Sequence, residues 1–166
     1  HVMTGLQLQQ GFVKGDSRLN GLGTAVFLQC HGSRIPERPF CSKVCCTQSI
    51  KSALELKERN PDMHIYVVYR DMRPYGLRED LYREARTRGI SFVRYNFEKE
   101  LKIEPGDQKV EIKFTDTVFR KEVTIHSDLL VLASAIVPEK ENPLSRFYKV
   151  SQNEDGFFAE AHVKLR

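Results

Sequence analysis

The sequence predicts an α/β fold, with a Rossmann-like parallel sheet and a small antiparallel β-meander. Short runs of continuous apolar residues, typical of strands buried on both faces, alternate with segments of helical periodicity. The spacing of the first two runs fits a strand–helix–strand unit with a right-handed crossover. Two later stretches alternate apolar and charged residues, as antiparallel hairpins do. With 166 residues, 40% of them hydrophobic, the chain is long enough for one domain with a substantial core.

The first half of the chain predicts a strand–helix–strand unit behind a leading loop. Residues 1–24 carry glycines among polar residues, so we expect a leading segment with a loop. Residues 25–28 form the first core strand, and two prolines exclude regular structure from the loop 32–40. A helix is expected from a candidate N-cap at Ser42 to residue 60, where an Asn-Pro pair ends it. The β-rich segment 64–69 follows as the second strand.

The second half continues the pattern and then changes period. Residues 77–88 have apolar side chains four positions apart and predict a helix that a glycine ends. Residues 90–95 form the third strand. Residues 110–125 predict an antiparallel hairpin turning near Asp116. The continuous apolar run 129–137 predicts a strand that returns into the centre of the sheet.

These patterns divide the chain into three parts. We expect a leading segment and loop at 1–24, a Rossmann-like domain with a cysteine loop at 25–138, and a loop-rich C-terminal segment at 139–166. The chain starts without methionine and ends without a polar tail, so we expect an excised fragment. It has no run of about 18 apolar residues and no signal-peptide pattern, which predicts a cytoplasmic protein without a membrane span. The interleaved charges, +4 in sum, do not favour nucleic-acid binding.

All four cysteines lie in one 17-residue window with the spacing C-x10-C-x3-C-C. Such clustering, with two cysteines adjacent, suits a metal or redox centre better than disulfides. The window follows the first core strand, where nucleotide-binding folds keep a glycine-rich phosphate loop, and no G-x-G-x-x-G element is present there. A thiolate-ligated cluster is anionic and suits the helix N-terminus expected at this point. The candidate ligands are Cys30, Cys41, Cys45 and Cys46.

Helical geometry favours a cluster over a single ion. In a helix, Cys41 and Cys45 would share a face while Cys46 would lie about 100° round from Cys45. One small ion would not easily reach both neighbours, whereas the separate irons of a 4Fe-4S cluster can each take one thiolate. The C-x3-C spacing keeps zinc open as an alternative, and free or disulfide-bonded cysteines are a further one.

Charged residues near the thiols have a functional and an ordinary interpretation. They either raise the potential of a bound cluster or are solvated loop charges. They are His31, Arg34, Arg38 and Lys43. The other histidines, His64, His126 and His162, are scattered singly, so no serine–histidine–acid set and no hydrolytic chemistry is predicted.

The end of the second strand carries Arg70, Asp71 and Arg73, where nucleotide-binding folds place groups for a ribose or its phosphate. No glycine loop accompanies them, so nucleotide binding is an alternative rather than the main hypothesis. The next helix carries charge pairs that favour a solvated face, with a docking surface for a partner ferredoxin as the second interpretation. These pairs are Glu79–Arg83 and Glu84–Arg88.

Two long runs resemble a known family. LQCHGSRIPERPFCSKVCCTQSIKSALELKE and IYVVYRDMRPYGLREDLYREARTRGISFVRY resemble the flavin-containing A-subunit family of heterodisulfide reductases and its relatives in anaerobes. The resemblance covers most of the chain and extends weakly to both ends. It implies an oxidoreductase resembling thioredoxin reductase, whose pyridine-nucleotide-type domain carries a 4Fe-4S cluster. By motif, the ligands fall on Cys30, Cys41, Cys45 and Cys46.

The resemblance also implies a role and partners. The domain would relay electrons between FAD and other clusters, beside flavin-binding and ferredoxin-type domains and further heterodisulfide reductase-type or hydrogenase-type subunits. The family's flavin domain and ferredoxin-type cysteine motifs are missing from these 166 residues. We therefore expect FAD in the full-length family protein rather than here, residues 139–166 to return toward that flavin domain, and no catalysis by this part alone. A structural or partner-docking module with zinc or free thiols, and a degenerate NAD(P)-binding domain, stay open.

Overall fold

The computed structural model describes residues 1–97, 99, 101–139 and 142–160. It contains a five-stranded parallel sheet and a three-stranded antiparallel sheet, so the predicted fold class is confirmed. The strands are β1 (Val2–Thr4), β2 (Thr24–His31), β3 (His64–Tyr69), β4 (Ser91–Arg94), β5 (Lys102–Pro105), β6 (Val110–Thr115), β7 (Glu122–Ser127) and β8 (Leu129–Ser134). The helices are α1 (Gly5–Lys14), α2 (Cys45–Arg59), α3 (Glu79–Thr87) and α4 (Pro143–Phe147). None of these four helices is long and apolar enough to cross a membrane.

The parallel sheet has the strand order β1-β8-β2-β3-β4. Its strand β2 pairs with β3 on one side and β8 on the other, and both pairings are parallel. The predicted return of the last long strand into the centre of the sheet is therefore confirmed. Side chains that alternate along β2 enter two different cores, because successive residues of a strand point to opposite faces. This double burial explains the continuous apolar run at residues 25–28.

Helices cover one face of the parallel sheet and the small antiparallel sheet covers the other. Phe27 of β2 packs with apolar side chains of α1 and α2, including Leu8 and Ile50. Leu28, on the opposite face, packs in a second core with Phe114 of β6. The sequence predicts the hairpin β6–β7 but not β5, which pairs with β6. The strand β5 is exposed along its whole length, so it carries little apolar signal.

The prediction of a leading segment with a loop at residues 1–24 did not include the regular structure found there. They contain β1, which pairs with β8, and the ten-residue helix α1. Thr4 and Gln7 form a reciprocal capping box at the start of α1, which satisfies two backbone N–H groups. Leu8 and Phe12 are buried by the fold. The polar and glycine-rich composition of this segment does not predict α1, because tertiary packing rather than local propensity stabilises this helix.

The predicted helix after the cysteine loop begins later than expected. Helix α2 starts at Cys45, and its N-cap is Val44, so the prediction that Ser42 is the N-cap is wrong. The hydroxyl oxygen of Ser42 instead accepts the N–H of Ile136 at 3.0 Å. This bond ties the loop to the segment that follows β8. The sequence around Ser42 could not show that competing partner, because it lies 94 positions away.

Candidate functional site

The four cysteines lie at the carboxyl edge of the parallel sheet, around the ends of β2, β3 and β8. The chain leaves β2 through the cysteine loop and α2 to reach β3, while β8 lies on the other side of β2. The strand order therefore reverses at β2. Open α/β sheets bind ligands at the carboxyl edge beside such a reversal point. The cysteine loop thus occupies the position where this fold class usually holds a ligand.

Cys30 is buried near the end of β2 and has a left-handed backbone, with φ of 61°. The pairing of β2 with β8 shifts register between Leu28 and His31, so the strand is irregular at this residue. A left-handed conformation costs a non-glycine residue about 1–2 kcal/mol. The fold therefore holds Cys30 in a strained conformation, and such strain concentrates at functional sites. His31, beside it, is exposed.

Cys45 and Cys46 are the first two residues of α2, and both are buried. They pack against Ala133 of β8 and against Met72, which follows β3. Among the described residues no side chain caps this helix, so N–H groups of its first turn keep their capacity to bind an acceptor. The positive end of the helix dipole favours anions at the same place.

Cys41 lies in the loop and is half-buried. Its sulfur accepts the backbone N–H of Lys43 at 3.4 Å, and Lys43 itself has a left-handed φ of 62°. The loop is closed upon itself by backbone hydrogen bonds between Ile35 and Arg38. The ring of Phe40 contacts that of Phe157, with centroids 5.0 Å apart, so the C-terminal segment anchors the loop.

The thiols are close enough to change one another's acidity. Burial raises the pKa of Cys30, Arg34 opposes this larger effect, and the neighbouring Cys46 and Cys41 add smaller increases. A hydrogen bond between the adjacent thiols, together with burial, raises the pKa of Cys45, and the same bond lowers the pKa of Cys46 to about 6. All four cysteines belong to the described part of the chain and are free thiols there. The fold thus brings together all four residues that the sequence singled out.

The thiols gather without converging on a single point. In the part of the chain that the structure describes, no three histidine, cysteine, aspartate or glutamate side chains are arranged to hold one metal ion. His64 and His126 lie on β3 and β7, and His162 falls outside the described residues. The group is therefore a set of neighbouring thiols rather than a formed one-ion site.

A network of arginines surrounds Asp71 beside the thiols. The Asp71 carboxylate pairs with Arg34 at 2.7 Å, with Arg73 at 3.3 Å and with Arg94 at 3.5 Å. Burial raises the pKa of Asp71, but the hydrogen bond and charge of Arg34 outweigh this effect and lower it overall. Sequence reasoning named Arg34, Asp71 and Arg73, but it missed Arg94. Only the pairing of β3 with β4 brings Arg94 next to Asp71.

The residues considered for nucleotide binding are occupied by contacts within the protein. Arg70 donates from Nη1 to the carbonyl oxygen of Arg34 at 2.7 Å and stacks over Phe97, 4.5 Å from the ring centroid. An open cleft of about 700 Å³ lies between this strand end and α3. Arg88, the C-cap of α3, pairs with Glu84 at 2.7 Å as predicted, whereas Arg83 pairs with Asp80 at 3.4 Å. Nucleotide binding stays a prediction.

Two buried polar side chains near the thiols were not predicted as site residues. Gln29 is 1% exposed and Thr47 is 7% exposed. Within the described residues, neither the Gln29 amide nor the Thr47 hydroxyl has a hydrogen-bond partner. Native proteins rarely leave such groups unpaired, so each points to a missing partner. For Gln29 the sequence did carry a signal of a site residue, because a polar residue directly follows the apolar strand residues 25–28.

Comparison with known proteins identifies relatives. The chain is 33% identical over 145 residues to the iron-sulfur A-type subunit of the CoB–CoM heterodisulfide reductase of Methanocaldococcus jannaschii, matching 84% of this chain and 22% of that protein. It is 35% identical to one of the corresponding A-type subunits from Methanopyrus kandleri, with the same coverages. It is 32% identical to the A-type subunit of the H(2):CoB-CoM heterodisulfide,ferredoxin reductase of Methanothermobacter marburgensis, matching all of this chain and 27% of that protein.

Solved structures agree with the fold. The thioredoxin reductase of T. acidophilum superposes with a TM-score of 0.56 and 13% identity, over 95% of this chain and 42% of that one. The L-lysine 6-monooxygenase of Pseudomonas syringae superposes with a TM-score of 0.54 and 14% identity, over 93% of this chain and 45% of that one. No family model matches the sequence. The chain spans about a fifth to a quarter of the length of the curated relatives named above.

Proposed function

Because the chain belongs to the family of heterodisulfide reductase A-type subunits, we propose that it holds a 4Fe-4S cluster and relays electrons within a larger oxidoreductase. The proposed ligands are Cys30, Cys41, Cys45 and Cys46. Two of the relatives are named as iron-sulfur subunits of a heterodisulfide reductase. The name of the third includes ferredoxin beside the heterodisulfide. These names agree with an iron–sulfur relay in a redox complex.

One observation carries the proposal. Four free thiols from three separate stretches of the chain gather at the ligand-binding edge of the sheet, beside the uncapped start of α2. Cysteine thiolates are the usual ligands of such clusters. The combined charge of a cluster and its thiolates is negative, which suits the positive end of a helix.

The arrangement of the thiols supports a cluster over a single ion. A zinc site needs at least three ligand side chains that converge on one point, and no three of the described histidine, cysteine, aspartate and glutamate side chains do so. The irons of a 4Fe-4S cluster lie at separate corners, so each thiolate needs to reach only its own iron. The adjacent Cys45 and Cys46, on different sides of the first helical turn, meet that requirement.

The bound cluster would supply one-electron transfer, and the residues of this chain would control its surroundings. Cys45 and Cys46 are buried against Ala133 and Met72, which keeps water away from that side. The free N–H groups of the first helical turn and the nearby Arg34 provide donors and positive charge. Such groups raise the reduction potential of a cluster.

The wider setting belongs to the same proposal. We infer that electrons pass between this cluster and FAD in the complete protein, and onward to ferredoxin-type clusters and partner subunits. The thioredoxin reductase and the L-lysine 6-monooxygenase compared above share the fold of this chain, at 13% and 14% identity. These 166 residues would hold the electron relay and would not complete a catalytic cycle by themselves.

Anaerobic reconstitution tests the proposal. The purified chain, reduced and supplied with iron and sulfide, should bind about four irons and, after dithionite reduction, give the electron paramagnetic resonance spectrum of a reduced cluster. Cys45→Ser should lose most of this iron because a thiolate ligand is missing. Val44→Ala is the control at the neighbouring position, since Val44 is exposed, precedes Cys45, and alanine adds no hydroxyl that would cap the first turn of α2.

Two results would contradict the proposal. If the wild-type chain retains no iron while all four cysteines are reduced, it holds no cluster. If Cys45→Ser binds as much iron as wild type, Cys45 is not a ligand. Parallel loading with zinc tests the alternative of a structural zinc module. That alternative predicts a colourless protein that gives no resonance signal and that a chelator destabilises.

A further inference from the structure

The backbone of Arg34 is fixed by partners on two sides. Its N–H donates to the carbonyl oxygen of Phe40 at 3.2 Å, and its own carbonyl oxygen accepts from Arg70 Nη1 at 2.7 Å. Its φ is 58°, a left-handed conformation that is unfavourable for a non-glycine residue. The fold therefore holds Arg34 in one position against its local preference.

The guanidinium of Arg34 is fixed as well. Its Nη2 lies 2.7 Å from Asp71 Oδ2, and the side chain is 21% exposed. Asp71 is itself held by Arg73 and by Arg94, which ends β4. These contacts join the cysteine loop to the ends of β3 and β4. A short, partly buried pair of this kind limits rotation of the guanidinium.

The other terminal nitrogen of the same group has no partner among the residues that the structure describes. Nη1 of Arg34 is buried, and none of the described residues accepts a hydrogen bond from it. A buried donor without an acceptor destabilises the fold. The Ser33 N–H donates to the Cys30 carbonyl oxygen at 3.2 Å, so a tight turn keeps Arg34 close to Cys30 in the loop, and Cys46 Sγ lies 4.0 Å from the carbonyl oxygen of Asp71, the partner of Arg34. A charged acceptor bound at the cysteines would remove the destabilisation.

We propose that Arg34, clamped by Asp71, is a positioning residue that donates a hydrogen bond to the sulfur of Cys30 in the loaded protein and raises the cluster's reduction potential. This inference rests on the proposed function. Reduction adds one electron to the cluster and forms or breaks no bond, so it adds one negative charge. A fixed positive charge and donor in a partly buried site favour that reduced state.

Redox titration of the loaded protein, followed by electron paramagnetic resonance, tests the role of Arg34. In Arg34→Gln the equilibrium constant for reduction should fall about tenfold, which lowers the potential by about 59 mV for a one-electron couple. Iron content should stay near the wild-type value, because Arg34 is not a ligand. Arg83→Gln removes the same charge from an 80% exposed side chain and should leave the potential unchanged.

Asp71→Asn separates a positioning role from a simple effect of charge. Loss of a negative charge near the cluster would by itself raise the potential. If Asp71 acts by holding Arg34, its removal frees the guanidinium and lowers the potential instead. A wild-type or higher potential in Asp71→Asn overturns the clamp, and a wild-type potential in loaded Arg34→Gln overturns the whole inference.

The outcomes distinguish this inference from the proposed function. A wild-type chain that binds no iron defeats the proposed function, whereas a loaded chain whose potential ignores Arg34 defeats only this inference. If Arg34→Gln loads poorly, Arg34→Lys is the second variant, since lysine keeps the charge but loses the planar fork. Its potential should lie below that of wild type, and a wild-type value overturns the hydrogen bond.

Discussion

The two edges of the parallel sheet are each organised by one aspartate, in opposite ways. At the amino edge, Asp128 accepts the N–H groups of Gly23 and Thr24 at 3.0 and 2.8 Å and pairs with Lys109 at 3.2 Å. At the carboxyl edge, Asp71 gathers three arginines, yet a buried nitrogen beside it stays unpaired among the described residues. Among the described residues, the polar groups around Asp128 at the amino edge are paired within the fold, whereas Nη1 of Arg34 at the carboxyl edge is left free to bind a ligand.

The backbones of the two edges differ in the same sense. The chain enters β2 at the amino edge through Gly21, whose φ of 70° carries no steric cost for glycine. Around the cysteines at the carboxyl edge, three non-glycine residues have positive φ: Cys30, Arg34 and Lys43. Backbone strain is therefore present at the carboxyl edge, where the thiols lie, and is avoided where the chain enters β2 at the amino edge.

Removal of each aspartate side chain measures the difference between the edges. Asp128→Ala leaves two backbone N–H groups and Lys109 without their acceptor, and should lower the free energy of unfolding by about 2 kcal/mol. Asp71→Ala, in the metal-free protein, breaks ion pairs at a 36% exposed carboxylate and should cost about 1 kcal/mol or less. Urea denaturation measures both values.

Asp107→Ala is the control for this comparison, because Asp107 is an exposed aspartate between β5 and β6. Its effect should stay within about 0.5 kcal/mol. An equal loss of stability in Asp128→Ala and Asp71→Ala would show that the two edges contribute alike, against the contrast drawn from their hydrogen bonds.

Acid should weaken the amino edge in a defined pH window. Burial raises the pKa of Asp128, but hydrogen bonds from Thr24 and Gly23 and the charge of Lys109 outweigh burial and lower it below the usual 3.8. A carboxyl group with a lowered folded pKa gives full stabilisation above its unfolded pKa and loses it as the pH falls through the folded value. The stability gap between wild type and Asp128→Ala should therefore shrink from about pH 5 to about pH 2. A gap that is constant across this range, in urea denaturation, would show that the Asp128 charge does not stabilise the fold.

The strain at the carboxyl edge should be measurable at Lys43. Lys43→Gly removes the steric cost of a φ of 62° but adds flexibility to the unfolded chain, so a net gain of about 0.5 kcal/mol is expected in the metal-free protein. Lys43→Ala loses the same charge and side-chain length but keeps Cβ, and should give no gain. Thermal or urea unfolding that ranks alanine above glycine would mean that this residue is not strained.

Local patterns were sufficient for much of the fold and for the identity of the thiols. The strands β2, β3 and β8 are buried on both faces, so continuous apolar runs mark them directly. The hairpin β6–β7 has one solvated face and therefore alternates. The cysteine cluster was visible because the chain has no other cysteines.

What the sequence by itself determined is the α/β class and a group of thiols after the first core strand. Only the tertiary structure decided that residues 5–14 form a helix, that Ser42 bonds Ile136, and that Arg34 meets Asp71. The reason is physical. Apolar periodicity records burial along one element, whereas a cap, an ion pair or an unpaired donor depends on groups that only folding brings together. The left-handed backbone at Cys30 belongs to the second kind, since packing at the end of β2 imposes it against local preference.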